Sequence, residues 1–242
     1  MCTVSWSFTS DGEFALCFNR DEQHTRADGL PPRIWPAGFL APVDPTAGGT
    51  WLAVRPDGGI LALLNLYREK NVRISGGGSR GTLIPELAGA EQLPTLAALK
   101  KIVPRPMNSF RLLSLARDGK GMLFTWDGNV LSHRRMDKKV GMLTSSSWST
   151  AAVISLRSAA FRKFRNDHVE PRLEDLGKFH QSLHARGGGW SICMTRDDAR
   201  TVSLNTVRLA GCEVEMTHRH RARGGAGFSA VTQSLQLPLT AG

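Results

Sequence analysis

Apolar runs in this chain come in pairs joined by tight turns, and helical stretches separate the pairs. That order limits the fold more than any single motif does. Thr3 to Phe8 alternates polar and bulky residues, and Glu13 to Phe18 is a second short apolar run. Ser10-Asp11-Gly12 between them is a turn signal, so residues 2–19 read as a hairpin. Trp51–Val54 and Ile60–Tyr67 read as strands across the turn Arg55-Pro56-Asp57-Gly58-Gly59. Phe110–Ala116, Met122–Trp126 and Val130–Arg134 read as a meander, and Val140–Ser145 as one more strand. Trp190–Thr195 and Thr201–Leu209 read as a hairpin, with Glu213–His218 beyond it. Helices fall between these groups: Ser79–Leu87, Leu93–Ile102, Thr150–Asp167 and Leu173–His184. Ser79 can cap the first of them, and Pro85 limits its length. Val153, Leu156, Ala160, Phe161 and Phe164 sit near helical spacing in the third. Residues 28–49 carry Pro31, Pro32, Pro36, Pro42 and Pro45 and read as an irregular surface loop. Helices inserted between hairpins predict an α+β fold with antiparallel sheets, not a doubly wound parallel one.

A chain of 242 residues can bury one core without staples. We read 1–242 as one domain, with 224–242 as a loosely packed tail. Hydrophobic residues at 41 % and charged residues at 21 % exclude general disorder. The longest apolar run, Ile60–Leu64, is too short for a transmembrane segment. Residues 1–18 have no secretory pattern, so the expected location is cytoplasmic. Cys2, Cys17, Cys193 and Cys212 form no C-x-x-C pair. Reduced thiols are expected, and the last three read as small buried hydrophobes. The net charge of +10 is spread along the chain. Its densest cluster, His218-Arg219-His220-Arg221-Ala222-Arg223, reads as a solvated rim or, less favourably, as a contact for anionic surfaces. No nucleic-acid motif accompanies it, and no nucleic-acid partner is expected.

Three positions can carry chemistry. Removal of Met1 would leave Cys2 as the N-terminus, a thiol beside its own α-amine. With reference pKa values of about 7.7–8.0 and about 8.5, the amine can take the thiol proton. The plainer reading of position 2 is an incidental buried cysteine. Phe18-Asn19-Arg20-Asp21-Glu22 ends the second strand, and a hairpin returns it beside Cys2. There a guanidinium would lower the thiol pKa and a carboxylate could hold the amine. An ordinary charged turn is the other reading. Asn65 closes the run Leu61–Leu64, as a strand end or as an oxyanion donor.

Together these residues resemble a family. Met1-Cys2-Thr3-Val4, Asn19-Arg20-Asp21-Glu22, Gly48-Gly49-Thr50-Trp51-Leu52, Leu63-Leu64-Asn65-Leu66-Tyr67 and Ser79-Arg80-Gly81-Thr82-Leu83 are similar to the NRDE family of transport-and-Golgi-organisation-2-like proteins. The likeness continues more loosely through Gly141–Trp148 and Ser191–Val207. It implies an N-terminal-nucleophile (Ntn) hydrolase fold, a four-layer αββα sandwich of two antiparallel sheets. It also implies a distant likeness to choloylglycine hydrolases and penicillin V acylases. By that resemblance Cys2, Arg20, Asp21 and Asn65 are catalytic, and Asn19, Trp51, Ser145 and Arg80 bind substrate. The acylase pattern separates its arginine and aspartate, whereas Arg20 and Asp21 are adjacent. A later acylase asparagine falls on Thr144-Ser145-Ser146, where this chain has none.

The implied activity is hydrolysis of a non-peptide amide or related acyl bond through a thioester, with no cofactor and no metal. The implied partner is a small-molecule acyl amide or an anionic ligand. The alternative is a haem or acyl-ligand carrier on the same fold, with Cys2 or a histidine as axial ligand. His180 and His184 would then share a helix face, otherwise a solvated one. Gly76-Gly77-Gly78-Ser79-Arg80-Gly81 reads as a phosphate cradle or a turn, and Gly187-Gly188-Gly189 as a loop.

Overall fold

The first hairpin forms as read and extends further. In a computed structural model of the chain, β1 (Cys2–Phe8) and β2 (Phe14–Gln23) pair antiparallel, with Cys2 opposite Arg20. The structure describes residues 2–67, 79–103, 107–222 and 228–229, and the backbone of 233–238. Next come β3 (Leu30–Ile34), β4 (Leu40–Val43), β5 (Leu52–Val54) and β6 (Ile60–Asn65). After α1 (Leu83–Ala88) and α2 (Leu96–Ile102) follow β7 (Phe110–Leu115), β8 (Gly121–Trp126), β9 (Leu131–Arg135) and β10 (Val140–Thr144). The chain continues with α3 (Thr150–Asp167), α4 (Leu173–His180), β11 (Ala199–Ala210), β12 (Glu213–His220) and β13 (Gln233–Pro238).

Strands β3 to β9 form a seven-stranded sheet in chain order. The second sheet has six strands in the order β10-β1-β2-β11-β12-β13. Alternation along each strand builds the layers. Even positions of the first hairpin, Val4, Trp6, Phe14, Leu16 and Phe18, meet Leu52, Ala62, Leu64 and Leu113 between the sheets. Odd positions Ala15 and Cys17 face the helix side with Leu176 of α4. On the outer face of the seven-stranded sheet, Leu61, Leu63 and Leu112 pack on Leu83, Ile84, Leu87 and Leu99 of α1 and α2. The result is the αββα sandwich. Among the described residues no helix is long and apolar enough to cross a membrane.

Several expectations change. Residues 28–49 are not all loop, because β3 and β4 lie within them. Pro31 and Pro32 are tolerated because β3 is a sheet edge with a register irregularity between Leu30 and Arg33. Trp190–Thr195 is not a strand. β11 already has β2 and β12 on its two edges, leaving only a bridge between Thr195 and Arg200. Helix α4 stops at His180, short of His184, where Ser182 Oγ donates to the Phe179 carbonyl. In α3, Ala160 is exposed and Arg157 takes the buried place between Val153 and Phe161. Cys212 is exposed in the turn after β11. Strand β13, which the sequence pattern did not suggest, pairs antiparallel with β12.

Close packing of β1 on β10 depends on Gly141. A Cβ there would lie 2.2 Å from Cζ2 of the fully buried Trp6, directly across the pair. Gly141→Ala is expected to destabilise by about 1–3 kcal/mol, the usual cost of overpacking. An unchanged urea midpoint would refute this.

Candidate active site

Cys2 opens β1, a strand with a neighbour on each side. Its backbone N–H donates to Ser145 Oγ at 3.0 Å, and its carbonyl accepts from Ser145 N at 2.9 Å. On the other side Arg20 is its direct partner, and both side chains occupy the inter-sheet face. Burial pushes the Cys2 thiol up. A backbone N–H of Asp21 and the Arg20 charge pull it down, the direction expected of a guanidinium there, but by less than burial raises it.

Arg20 is itself buried, its guanidinium 4.5 Å from the centre of the Trp51 ring. Its Nη2 lies 3.4 Å from Glu22 and 3.8 Å from Asp44. Arg26 closes the group, 2.6 Å from Asp44 and 3.5 Å from Glu22. Trp51 is held by close backbone. Its carbonyl accepts from Leu63 N, and a Cβ on Gly29 would meet its ring at 2.5 Å. The neighbouring Gly49 lets the chain approach Gly81, whose carbonyl accepts from Thr50 N. Thus the segments 48–52 and 79–83 are brought together.

Asp21 points away from the thiol, because adjacent strand residues face opposite sides. Its carboxylate accepts from Thr201 Oγ1 at 2.7 Å and lies 4.0 Å from Arg157 of α3. Burial pushes the Asp21 carboxyl up, and Arg157 and Thr201 pull it back. Arg157 also donates to Thr3 Oγ1, Thr144 Oγ1 and the Gly189 carbonyl. Neither Arg157 nor Thr201 was anticipated. The available signal was one arginine four residues from both Val153 and Phe161, inside the apolar stripe.

Other candidates are placed as follows. Asn65 ends β6 with the parity of Leu61 and Leu63, and its amide donates to Tyr67 Oη. Tyr67 packs on Met194 and Ala199, which brings Asn65 to the end of the sandwich where β2 finishes. Asn19 lies on the helix side, donating to the carbonyls of His180 and Ile192. Arg80 donates to the Ser109 carbonyl, and Leu66 N binds the same oxygen. The structure therefore brings Cys2, Arg20, Trp51 and Ser145 together, with Asp21 behind them. It does not bring Asn19 or Arg80 to the thiol.

The histidine pair does not share a helix face, since α4 ends at His180. His180 is fully buried, its Nε2 2.8 Å from Ser5 Oγ. In the basic cluster His218 and Arg221 are buried, not solvated. His218 bonds Asn205, and Arg221 donates to the Met194 carbonyl. Gly76-Gly77-Gly78 and Arg223 lie outside the described residues. Among the described residues no group of three or more His, Cys, Asp or Glu could hold a metal ion.

Burial of His180 has a pH consequence. Desolvation, and then Arg157, lower its pKa from 6.5 to about 3. A depressed folded value means its stability contribution is present above about pH 6.5 and lost as pH falls toward about 3. Between pH 7 and pH 5 that is a loss of roughly 2 kcal/mol. Urea unfolding of His180→Gln should show a shallower pH slope than the parent; an equal slope refutes the assignment.

The family model described as Transport and Golgi organisation 2 matches residues 1–184. No curated protein sequence matches. A Caenorhabditis elegans N-acylethanolamine-hydrolyzing acid amidase (NAAA) ortholog superposes with TM-score 0.56 at 9% identity, over 84% of this chain and 91% of that one. Penicillin V acylase from Agrobacterium tumefaciens gives 0.53 at 10%, over 90% and 82%. The C2A mutant of conjugated bile acid hydrolase from Clostridium perfringens gives 0.54 at 9%, over 99% and 92%. These likenesses show the fold, that of the Ntn hydrolases.

Proposed function

Since the chain belongs to the Transport and Golgi organisation 2 family and has the Ntn hydrolase fold, we propose that it hydrolyses a non-peptide amide or related acyl bond through Cys2. The observation that carries this reading is the setting of Cys2. Its nitrogen is anchored on Ser145, and its thiol faces the Arg20 side of the hairpin.

Once Met1 is removed, the Cys2 nitrogen is an α-amine. It takes the Sγ proton, and the thiolate attacks the substrate carbonyl carbon. Collapse of the tetrahedral adduct breaks the C–N bond, and the α-ammonium returns the proton to the leaving amine. Water, deprotonated by the same amine, then attacks the thioester and releases the acid. Arg20 favours the thiolate. Ser145 orients the amine, and Asp21 offsets positive charge from the opposite face. The Asn65 side chain, with the parity of Leu61 and Leu63 and donating to Tyr67, has no part in the step.

Intact mass of the untagged protein tests the premise. The expected mass is short by one methionine. Incubation with a panel of acyl amides should then add an acyl group to the Cys2 peptide, removable by hydroxylamine. Retention of Met1 overturns the reading and favours the haem or acyl-ligand carrier.

A further inference from the structure

We propose that Arg20 Nη1 and Trp51 Nε1 form a two-donor subsite for a neutral carbonyl oxygen of the ligand, beside Cys2. This deepens the reading of Cys2 as the reacting thiol and rests on it. Both donors are buried with no hydrogen-bond partner. Their residues are only 4% and 6% exposed. A buried N–H without an acceptor carries a desolvation penalty, so two together are a standing cost that a ligand oxygen relieves.

The two side chains are neighbours, since the guanidinium lies 4.5 Å from the indole centre. Arg20 is also beside the thiol, and Trp51 lies in the same core. Arg20 is the cross-strand partner of Cys2, and Trp51 shares its core cluster. Neither can swing away easily. Nη2 of Arg20 is held toward Glu22 and Asp44, and the Trp51 ring is pressed against Gly29. Rigid strands and turns therefore present the donors already placed.

Local charge decides what they take. Arg20 and Arg26 face Glu22 and Asp44, two cations against two anions. The group is balanced, so a carboxylate would enter without a spare counter-charge. An amide or ester carbonyl adds an acceptor and no charge. With no asparagine at residues 144–146 and the Asn65 amide engaged by Tyr67, Arg20 and Trp51 supply two unpaired buried donors on the inter-sheet side.

Alkylation tests this without requiring turnover. The untagged full chain is treated with iodoacetamide, iodoacetate or allyl bromide, and the rate at the Cys2 peptide is divided by the rate with glutathione. Iodoacetamide carries the neutral carbonyl, iodoacetate an anion, and allyl bromide no acceptor. Trp51→Phe keeps the ring and removes Nε1. The expected result is an iodoacetamide rate lower by about tenfold, one neutral hydrogen bond, with the allyl bromide rate unchanged. If Trp51→Phe melts early, Arg20→Lys, which keeps the charge and loses the planar fork, should lower the ratio of the iodoacetamide rate to the allyl bromide rate. Equal loss for both reagents, or loss for neither, overturns the subsite. So does a normalised preference for iodoacetate, or no alkylation of Cys2 by any reagent. Failure to form an acyl-enzyme with intact selective alkylation would sink the hydrolase reading alone.

Discussion

Arg157→Met is expected to cost the folded protein about 3–5 kcal/mol, the penalty for breaking a buried ion pair from one side. Methionine fills much of the same volume but supplies none of the donors. Thr3, Thr144 and the Gly189 carbonyl each lose a bond, and Asp21 loses its facing cation. The loss should depend on pH with a definite sign. Burial already raises the Asp21 carboxyl, and removal of Arg157 raises it further. A raised folded pKa gives a contribution present below the unfolded value and lost as pH rises through the folded one. The variant should therefore fall further behind the parent at pH 8 than at pH 5 in urea titrations. Adding Asp21→Asn should recover part of the loss, because the uncompensated charge is gone. A loss that is constant with pH would show that Asp21 is not the group Arg157 serves.

Cys2→Ala should reduce turnover of any acyl amide the parent cleaves by at least about 10⁴-fold, the scale on which removed nucleophiles act. The side chain is small and its replacement leaves the backbone bonds to Ser145 in place, so stability should change little. Loss of rate with an unchanged melting curve separates chemistry from folding. Residual turnover within tenfold of the parent would remove Cys2 from the mechanism.

Much of this arrangement was legible in the residues. Alternation in Thr3–Phe8 and the Ser10-Asp11-Gly12 turn specify the first hairpin, and a hairpin of that length must return Arg20 to Cys2. Thr150–Asp167 was readable because its apolar residues repeat from Val153 to Phe164, about three turns of helix. Period alone could not show that Arg157 is buried, since that depends on Asp21 from another element. Strand β3 was hidden by its prolines, which only an edge position permits. The Trp190–Thr195 segment was misleading for the opposite reason: its pattern suits a strand, but β11 has no edge left for it. The family likeness added the sandwich and the candidate nucleophile. It could not show that Asn19 is engaged by backbone carbonyls on the helix side, or that Arg20 and Asp21 divide between two faces.

The place of β1 between β2 and β10 also sets a timetable. During synthesis the chain's beginning emerges first, yet one of its two sheet neighbours is residues 140–144. At about 5–20 residues per second, some 140 residues take roughly 10–30 s to make. For that interval the strand cannot be enclosed on both edges, and Cys2 lacks the Ser145 partner that its backbone has in the finished fold. The door closes when Ser145 arrives. A nascent chain stalled short of residue 140 should accordingly have its Cys2 thiol alkylated faster than the full chain, in which Ser145 bonds the Cys2 backbone.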